Sequence, residues 1–383
     1  MISTDRAIFD EKSDVRARQI EYAKEWEEVH IVIFCKENSA LLGSRSFSTT
    51  IGSARRTENS PSRLFSRRRL EYDNSQSSGA PKGFRKNDCQ GVLISENCWL
   101  YSTESFSKFL FPFDAVRIGK NIVENNKITN ITCQDSSLTA YAGVSLKRKY
   151  KIPLEIQIHE DLGSPNYAYN LTNKIRLFLA NHYIPKADNV RVVSFRIKKY
   201  VEELLEKKRL NKDSGKPVIE TRPISVDLEK IRNSPTIVDL YQKYRQFDKI
   251  VLMASRLEKE KNVELAIKAW KKVNESFPKA GLLIVGRGSK SVALQSLPAR
   301  VTLAGSIIFE DWVPKPTLFS YYKTADLFLN TSLFEGYGLT LVEAEAAGCP
   351  IVSTDVGIAG EVGANITSFE PDDVANKIIQ SLK

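Results

Sequence analysis

The stretch SLFEGYGLTLVEAEAAGCPIVSTDVG, residues 332–357, places glycines and acids at the start of a helix-like run. Gly336 and Gly338 let the backbone approach a ligand closely, because glycine has no side chain to interfere. The helix that follows from about Gly338 directs free N–H groups and the positive end of its dipole at the same spot. The sequence therefore predicts an anion site here, and a phosphate is its most natural occupant.

Two glutamates of this stretch are candidates for the same ligand. Glu343 falls on the apolar stripe of the helix with Leu339, whereas Glu345 points away from it. A carboxylate on the packed side is costly to bury without partners, and the hydroxyls of a ribose would be suitable donors. Glu335, in the loop ahead, would lie near the group that the phosphate carries. The alternative is structural, with Glu335 as a helix cap and Glu343 as a salt-bridge partner.

A second cluster, SRLEKEKN at 255–262, directly follows an apolar strand. Arg256 and Lys261 could face one diphosphate, the arginine as a fork and the lysine as a point charge. We expect Lys259 to face water. Taken alone, the arginine and lysine would more simply be interpreted as a surface pair. Together with the glycine-acid loop, they predict a cage for a nucleotide diphosphate.

The sequence lacks the motifs of several other kinds of ligand-binding site. VGRGSK at 285–290 is too short for a dinucleotide fingerprint, and no phosphate-binding P-loop motif occurs. There is no D-x-D and no histidine-rich spacing, so we expect no metal ion and no cofactor. The cysteines have neither regular spacing nor nearby zinc ligands, which indicates scattered reduced thiols. They are Cys35, Cys89, Cys98, Cys133 and Cys349.

The C-terminal half alternates between apolar strands and amphipathic helices, which is typical of a doubly wound parallel α/β sheet. The predicted strands are 249–255, 280–286, 300–305, 326–332 and 350–355. The predicted helices are 262–277, 318–325 and the run that starts near Gly338. Because ligands of such folds bind at the carboxyl ends of the strands, the two candidate clusters should share one sheet edge.

The N-terminal half repeats this alternation less regularly. Helices are predicted at 14–26, 111–126, 138–150, 172–187 and 196–210, and strands at 28–36, 127–135, 152–161 and 189–195. A strand and a turn are predicted at 216–231 and lead toward the second domain. The sequence therefore predicts two Rossmann-like domains, 1–235 and 236–383. Residues 37–90 show no apolar period and are expected to form a basic, disordered insertion.

The formal charge of +10 is uneven, since residues 236–383 hold 17 basic and 17 acidic residues and residues 1–235 hold 39 and 29. This basic half suggests an anionic partner, such as membrane lipid headgroups or a phosphorylated acceptor. RRR at 67–69 could contact phosphates, although a solvated loop is the simpler interpretation. Nucleic acid is not expected, because aromatics there are sparse. With no signal peptide and no long apolar run, we expect a cytoplasmic protein.

These motifs resemble those of a known family. EGYGLTLVE, from Glu335 to Glu343, is similar to the E-x7-E motif of retaining GT-B glycosyltransferases of the "glycosyl transferases group 1" type. SRLEKEKN resembles their R-x4-K phosphate motif, and AAGCPIVSTDVGIAGEV resembles the segment after E-x7-E. The resemblance covers roughly 236–362 and is weaker over 92–235, where IQIHED and ISVDLEKI carry it.

The resemblance implies a GT-B fold, with two facing Rossmann-like domains, an interdomain cleft and a donor site mainly in 236–383. Carried over, Arg256 and Lys261 would hold the diphosphate and stabilise it as it leaves, without a metal ion. Glu335 and His159 would contact the donor sugar. Glu343 would bind the ribose. The N–H groups from Gly338 through Leu339 to Thr340 would help to hold the phosphates.

The implied activity is retaining transfer of a hexosyl-type sugar from a nucleotide-diphosphate sugar to a lipid-linked, lipopolysaccharide or polysaccharide acceptor. Such an enzyme of cell-envelope polysaccharide biosynthesis would be cytoplasmic and could sit peripherally on the membrane. Two alternatives stay open: a nucleotide-sugar binding protein with little turnover, and another GT-B enzyme such as a sugar-nucleotide epimerase or a phosphorylase. The family usually begins with a full apolar strand and ends with helices that return to the first domain. MIS and SFEPDDVANKIIQSLK are shorter, which predicts reduced activity or a need for a partner.

Overall fold

The computed structural model describes residues 1–11, 13–34, 91–208, 215–297, 303 and 305–383. The predicted disordered insertion at 37–90, with its RRR, lies outside the described residues, as do Cys35 and Cys89. So does most of the predicted strand 300–305. The described chain divides into two compact units, Met1–Lys127 and Ile128–Lys383. The domain boundary predicted near residue 235 lies inside the second unit and stays a prediction.

The first unit joins a small sheet to two helices. Its strands are β1 (Ile2–Ser3), β2 (Val29–Ile33), β3 (Val92–Ser95) and β4 (Cys98–Ser102), and its helices are α1 (Asp14–Ala23) and α2 (Phe111–Asn125). β2 is parallel to β1 and β4, whereas β3 is antiparallel to β4. The β3–β4 hairpin was not predicted from the sequence, although two apolar runs around the Glu96–Asn97 turn are a hairpin signal.

The second unit begins with four parallel strands in the order β5-β6-β7-β8. The strands are β5 (Ile131–Cys133), β6 (Leu154–Ile158), β7 (Asn189–Val192) and β8 (Val218–Thr221), and the helices are α3 (Leu138–Tyr150), α4 (Leu171–Tyr183) and α5 (Phe195–Lys207). Two short helices, α6 (Leu228–Arg232) and α7 (Leu240–Lys243), follow β8. Each strand is followed by a helix, as predicted from the alternating pattern.

The second unit continues into a six-stranded parallel sheet in the order β11-β10-β9-β12-β13-β14. The strands are β9 (Lys249–Ala254), β10 (Ala280–Val285), β11 (Ile307–Glu310), β12 (Leu327–Asn330), β13 (Ile351–Thr354) and β14 (Asn365–Thr367). The helices are α8 (Val263–Ser276), α9 (Ser291–Gln295), α10 (Lys315–Thr324), α11 (Leu339–Ala346) and α12 (Pro371–Leu382). β14 and α12 were not predicted from the sequence.

One predicted strand is misplaced. Leu303 and Gly305, the described residues of the predicted strand 300–305, are not in a strand, and the strand beside β10 is Ile307–Glu310. The run IIFE is rich in β-branched and aromatic residues, which suit a pleated sheet. Gly305 has a φ of +94° and belongs to a turn just ahead of β11.

Two apolar clusters cover the six-stranded sheet. Trp270 of α8 and Ile378 of α12 are fully buried in one of them. Tyr322 of α10 and Leu341 of α11 are fully buried in the other. Burial on both faces explains the near-continuous apolar sequence of the strands, and it leaves only the strand ends and their loops for ligands.

Candidate functional site

The two candidate clusters follow neighbouring strands. β9 pairs with β10 on one side and with β12 on the other. From β9 the chain adds β10 and β11 on one side, and it then adds β12 on the opposite side of β9. Ligands of open α/β sheets bind at such a switch point, beyond the carboxyl ends of the strands. The loop after β9 carries Arg256 and Lys261, and the loop after β12 carries Glu335 and Gly336.

The predicted diphosphate cations are both paired with carboxylates. Arg256 Nη2 lies 3.0 Å from Glu260 Oε1, and its side chain is 72% exposed. Lys261 Nζ contacts Glu335 Oε1, and these side chains are only 15% and 16% exposed. Ser332 also donates a hydrogen bond to Glu335 Oε1, at 2.7 Å. The R-x4-K and glycine-acid motifs, separate in sequence, therefore join in one charged cluster.

Gly336 brings this cluster to the segment that follows β6. A Cβ atom at Gly336 would lie only 1.8 Å from the carbonyl oxygen of His159, so only glycine fits. The Ser194 hydroxyl, at the start of α5, donates to the carbonyl of Gly336 at 3.1 Å. Asn166 Nδ2 donates to the Leu333 carbonyl at 3.4 Å. The exposed His159, predicted to meet the donor sugar, thus lies beside the glycine-acid loop.

These segments enclose a cavity of about 320 Å³. The predicted site residues that line it are His159, Arg256, Lys261, Glu335 and Gly336. The lining residues that were not predicted from the sequence are Glu160, Tyr167, Tyr169, Asn173, Arg176, Glu260 and Phe334. Three are direct neighbours of predicted residues: Glu160, Glu260 and Phe334. The other four belong to α4 and the loop ahead of it, and no motif marks them in the sequence.

Four of the lining residues that were not predicted form a polar network: Glu160, Tyr167, Asn173 and Arg176. Tyr167 donates a hydrogen bond to Glu160 Oε2, and Arg176 Nη1 lies 3.6 Å from Glu160 Oε1. Asn173 Nδ2 donates to the Tyr167 carbonyl at 2.7 Å and anchors α4 to this loop. Burial raises the pKa of the Tyr167 hydroxyl, and the Glu160 carboxylate raises it further. The phenol therefore stays protonated and remains a donor.

Aromatic rings form one wall of the cavity. The Phe334 ring centroid lies 5.4 Å from that of Tyr167 and 6.2 Å from that of Tyr169. Lys259 is exposed, as predicted, but its Nζ lies over the Tyr169 ring, 5.0 Å from the centroid. Rings of this kind can shield part of the site from water and can pack against the apolar face of a sugar.

Helix α11 begins beside the cavity. Gly338 caps it with a φ of +98°, a left-handed conformation that favours glycine. Leu339 is 37% exposed and Thr340 is half-buried, so the first turn is partly accessible. Its N–H groups are the predicted phosphate donors. These three residues are outside the lining of the cavity, and their role with phosphate stays a prediction.

Glu343 lies one turn further along α11. It is buried, at 8% exposure, whereas Glu345 is exposed, as the helical pattern predicts. The Tyr322 hydroxyl donates to Glu343 Oε2 at 3.3 Å. Burial raises the pKa of Tyr322 well above its ordinary value, and the Glu343 carboxylate adds to the effect. A hydroxyl donor therefore does pair with this carboxylate, and its contact with a ribose stays a prediction.

A separate polar cluster closes the end of β11. Tyr321 donates to Glu310 Oε2 at 2.8 Å, and Lys243 and Tyr244 contact Glu310 Oε1. Burial by itself raises the pKa of Glu310, but the hydrogen bonds from Lys243, Tyr244 and Tyr321 outweigh it and hold the pKa below the ordinary value. These contacts tie β11 to α10 and to the C-terminal end of α7.

Three features of the described part of the chain bear on partners. No group of three or more His, Cys, Asp or Glu side chains there is arranged to hold a metal ion. Within the same residues, no helix is both long enough and apolar enough to cross a membrane. Cys98, Cys133 and Cys349 are buried free thiols, and burial raises the pKa of Cys133 to about 12.

Comparison with known proteins places these residues in context. Residues 242–383 match the family described as "Glycosyl transferases group 1". An uncharacterised glycosyltransferase of Methanocaldococcus jannaschii, MJ1059, is 27% identical over 278 residues, which cover 70% of this chain and 66% of that protein. The alpha-monoglucosyldiacylglycerol synthase of Acholeplasma laidlawii is 25% identical over 229 residues, 55% of this chain and 54% of that protein. The chain thus spans about two thirds of the first relative and about half of the second.

Solved structures with the same fold confirm the predicted GT-B class. Sucrose-phosphate synthase of Thermosynechococcus elongatus superposes with a TM-score of 0.65 at 17% identity, covering 100% of this chain and 88% of that chain. Anabaena HepE, solved with UDP and glucose, superposes with a TM-score of 0.58 at 19% identity, covering 75% of this chain and 77% of that chain.

Proposed function

The chain belongs to the glycosyl transferases group 1 family, and from this premise we propose that it is a retaining, metal-independent glycosyltransferase. The donor would be a nucleotide-diphosphate sugar, and the acceptor a lipid-linked, lipopolysaccharide or polysaccharide chain. One observation carries the proposal. A single cavity at the β9/β12 switch point collects five residues that the sequence motifs single out, from three distant segments of the chain.

In this proposal the cations of the cavity bind the donor diphosphate. Arg256 and Lys261 would exchange their carboxylate partners, Glu260 and Glu335, for phosphate oxygens. Charge-assisted hydrogen bonds of this kind strengthen as charge develops on the leaving diphosphate. The free N–H groups at the start of α11 would add a positive dipole end to the same anion. These groups together would take the place of a metal ion.

The carboxylate released by this exchange would bind the sugar. Glu335 keeps its hydrogen bond from Ser332, so it stays positioned when Lys261 turns to the diphosphate. Its remaining oxygen lone pairs would accept hydrogen bonds from hydroxyl groups of the donor sugar. His159 would contact the sugar from the other side, because the close approach of Gly336 brings it to this loop.

In this proposal the acceptor hydroxyl attacks the anomeric carbon on the same face of the sugar from which the diphosphate leaves. The anomeric configuration is therefore retained. A donor-phosphate oxygen would take the proton of the acceptor hydroxyl on that face. The aromatic wall of Tyr167, Tyr169 and Phe334 would limit the access of water, and with it donor hydrolysis.

A lipid-linked acceptor has support from the names of relatives. The alpha-monoglucosyldiacylglycerol synthase of Acholeplasma laidlawii and the phosphatidylinositol N-acetylglucosaminyltransferase component of Arabidopsis thaliana both carry a lipid in their names. The basic residues 1–235 suit an anionic membrane. We therefore propose an enzyme of cell-envelope glycan synthesis in the cytoplasm, bound peripherally to the membrane.

Calorimetry with UDP, GDP, ADP and their sugar conjugates, in EDTA and in magnesium, tests the donor site. We expect one nucleotide to bind, equally well in both buffers. No binding of any nucleotide would overturn the proposal. Proton NMR of the donor separates the alternatives. Without an acceptor, an epimerase would convert the sugar. With acceptors added, a binding protein would still leave the sugar unchanged.

A further inference from the structure

Helix α4 presents an apolar stripe to solvent. Leu171, Ile175 and Phe178 are 73%, 50% and 70% exposed. Their spacing of four and three residues places them on one side of the helix. The other side is anchored, because Asn173 and Ala180 are buried. We call the surface formed by Leu171, Ile175 and Phe178 the α4 face.

The α4 face differs from the exposed apolar residues found around the six-stranded sheet. Ile237 and Phe369 are also exposed, but they lie in two separate loops, and the exposed Val292 lies on the short helix α9. Single exposed apolar side chains are ordinary, whereas a continuous stripe marks an interaction surface.

The charged side chains of the two helices α3 and α4 have one sign. Neither α3, LTAYAGVSLKRKY, nor α4, LTNKIRLFLANHY, contains an aspartate or a glutamate. The two helices pack against each other. Their cations are Lys147, Arg148, Lys149, Lys174 and Arg176. Carboxylates from outside the two helices pair with two of them: Asp188 with Lys147 at 2.8 Å, and Glu160 with Arg176 at 3.6 Å.

Cations crowd at the far end of α4. Lys147 Nζ donates to the carbonyl of Lys186 at 2.9 Å, and Lys186 Nζ lies 2.5 Å from His182 Nε2. Burial lowers the pKa of Lys186, and repulsion by Arg148 lowers it further. An anionic partner would reduce the electrostatic repulsion between cations held this close together.

The near end of α4 reaches the candidate site. Asn173 and Arg176, on the same helix, line the cavity, as does Tyr169 just ahead of it. A partner on the α4 face would therefore lie on the other side of the same helix from the place where we propose that the sugar is transferred.

We propose that the α4 face docks on an anionic lipid bilayer, with its apolar stripe in the interfacial layer and the exposed cations Arg148, Lys149 and Lys174 against the headgroups. This inference rests on the proposed function and narrows it to an acceptor in the membrane surface. A helix that is apolar on one side and basic around it suits the interface of a bilayer. The excess of cations on α3 and α4 favours a bilayer over a second copy of this chain, because the cations of two such faces would repel each other.

Vesicle co-sedimentation tests the proposal, with phosphatidylcholine alone and with roughly 30% phosphatidylglycerol added to supply a negative surface potential. The test variant carries Leu171→Gln, Ile175→Gln and Phe178→Gln, since glutamine keeps helix propensity. The control variant carries Ile237→Gln, Val292→Gln and Phe369→Gln. We expect the wild-type chain to prefer the anionic vesicles. The test variant should bind them at least about tenfold more weakly and the control within about twofold.

Charge is tested separately with Arg148→Glu and Lys174→Glu together, which should weaken binding to anionic vesicles and leave binding to neutral vesicles unchanged. Nucleotide calorimetry on every variant keeps the two proposals distinct, because donor affinity should not change. Equal vesicle binding by wild type and test variant would overturn the inference and leave the donor site intact. A second result would also overturn the inference: light scattering that shows a dimer for wild type and a monomer for the test variant, while both bind vesicles equally. The α4 face would then join two copies of the chain.

Discussion

Replacing Lys261 by methionine should separate its structural role from its role with the donor. Methionine keeps much of the length of the side chain and removes the charge, so Glu335 loses its cationic partner. An exposed ion pair contributes about 0–1 kcal/mol, whereas breaking a buried pair costs about 3–5 kcal/mol. Lys261 and Glu335 are 15% and 16% exposed, close to the buried case. Because Ser332 still donates to Glu335, we expect a loss of about 2 kcal/mol.

Guanidinium denaturation followed by circular dichroism measures this loss. Lys279→Met is the matched control, because Lys279 pairs with Asp248 at 3.7 Å and is 74% exposed. It should cost less than about 0.5 kcal/mol. Adding Glu335→Gln to Lys261→Met removes the unpaired charge, so the double variant should regain most of the stability.

Nucleotide binding should not recover in that double variant. Loss of a hydrogen bond from a charged group costs about 1.5–3 kcal/mol, or roughly 10- to 150-fold in affinity. Calorimetry with the cognate nucleotide diphosphate should show this loss for Lys261→Met with or without Glu335→Gln, and not for Lys279→Met. Equal stability of the two lysine variants would refute the burial argument. Wild-type affinity in the double variant would exclude Lys261 from the donor site.

Three further perturbations test other parts of the site and the fold. Glu343→Gln keeps a hydrogen-bond acceptor without the charge and should weaken nucleotide-diphosphate binding by about 1–3 kcal/mol in calorimetry; unchanged affinity would exclude Glu343 from ribose binding. Gly336→Ala places a Cβ atom 1.8 Å from the His159 carbonyl and should slow sugar transfer at least about tenfold. Gly360→Ala meets no heavy atom within 4 Å and should transfer at the wild-type rate; equal rates for both variants would contradict the close approach. Glu310→Gln should destabilise the fold at pH 7, and its difference from wild type should fade as the pH falls below the ordinary value of 4.5 through the lowered folded pKa. Denaturation curves at several pH values check this, and a difference that persisted at the lowest pH would show that the charge of Glu310 is not its cause.

Much of the candidate site could be predicted because chain order and sheet topology constrain it. Arg256 and Lys261 follow one parallel strand, and Glu335 and Gly336 follow another. The carboxyl ends of parallel strands share one edge, so the motifs had to lie near each other once the strands were recognised. Helical periodicity was also sufficient to place Glu343 on the buried side of α11.

The other wall of the cavity was not predictable from local patterns. Tyr167, Asn173 and Arg176 carry no motif, and they reach the site because the segment after β6 packs on the Gly336 loop. That contact depends on tertiary packing between distant segments. His159 was found only through the resemblance to a known family, and its neighbour Glu160 was missed.

The misplaced strand has a local cause. Leu303 and the apolar residues around it form a short run that resembles a strand as well as Ile307–Glu310 does. Short apolar runs are ambiguous, and the turn at Gly305 separates the two. Pairing with β10 decides between them, and pairing is not visible in a single segment.

The most direct test of the proposed reaction is the anomeric configuration of the product. The protein is incubated in EDTA with the nucleotide sugar that calorimetry selects and with lipid-linked acceptors in anionic vesicles, and the new linkage is assigned by NMR. We expect a linkage with the anomeric configuration of the donor, formed without metal and lost in Lys261→Met. An inverted linkage, a strict requirement for metal or undiminished transfer by Lys261→Met would contradict the proposed mechanism.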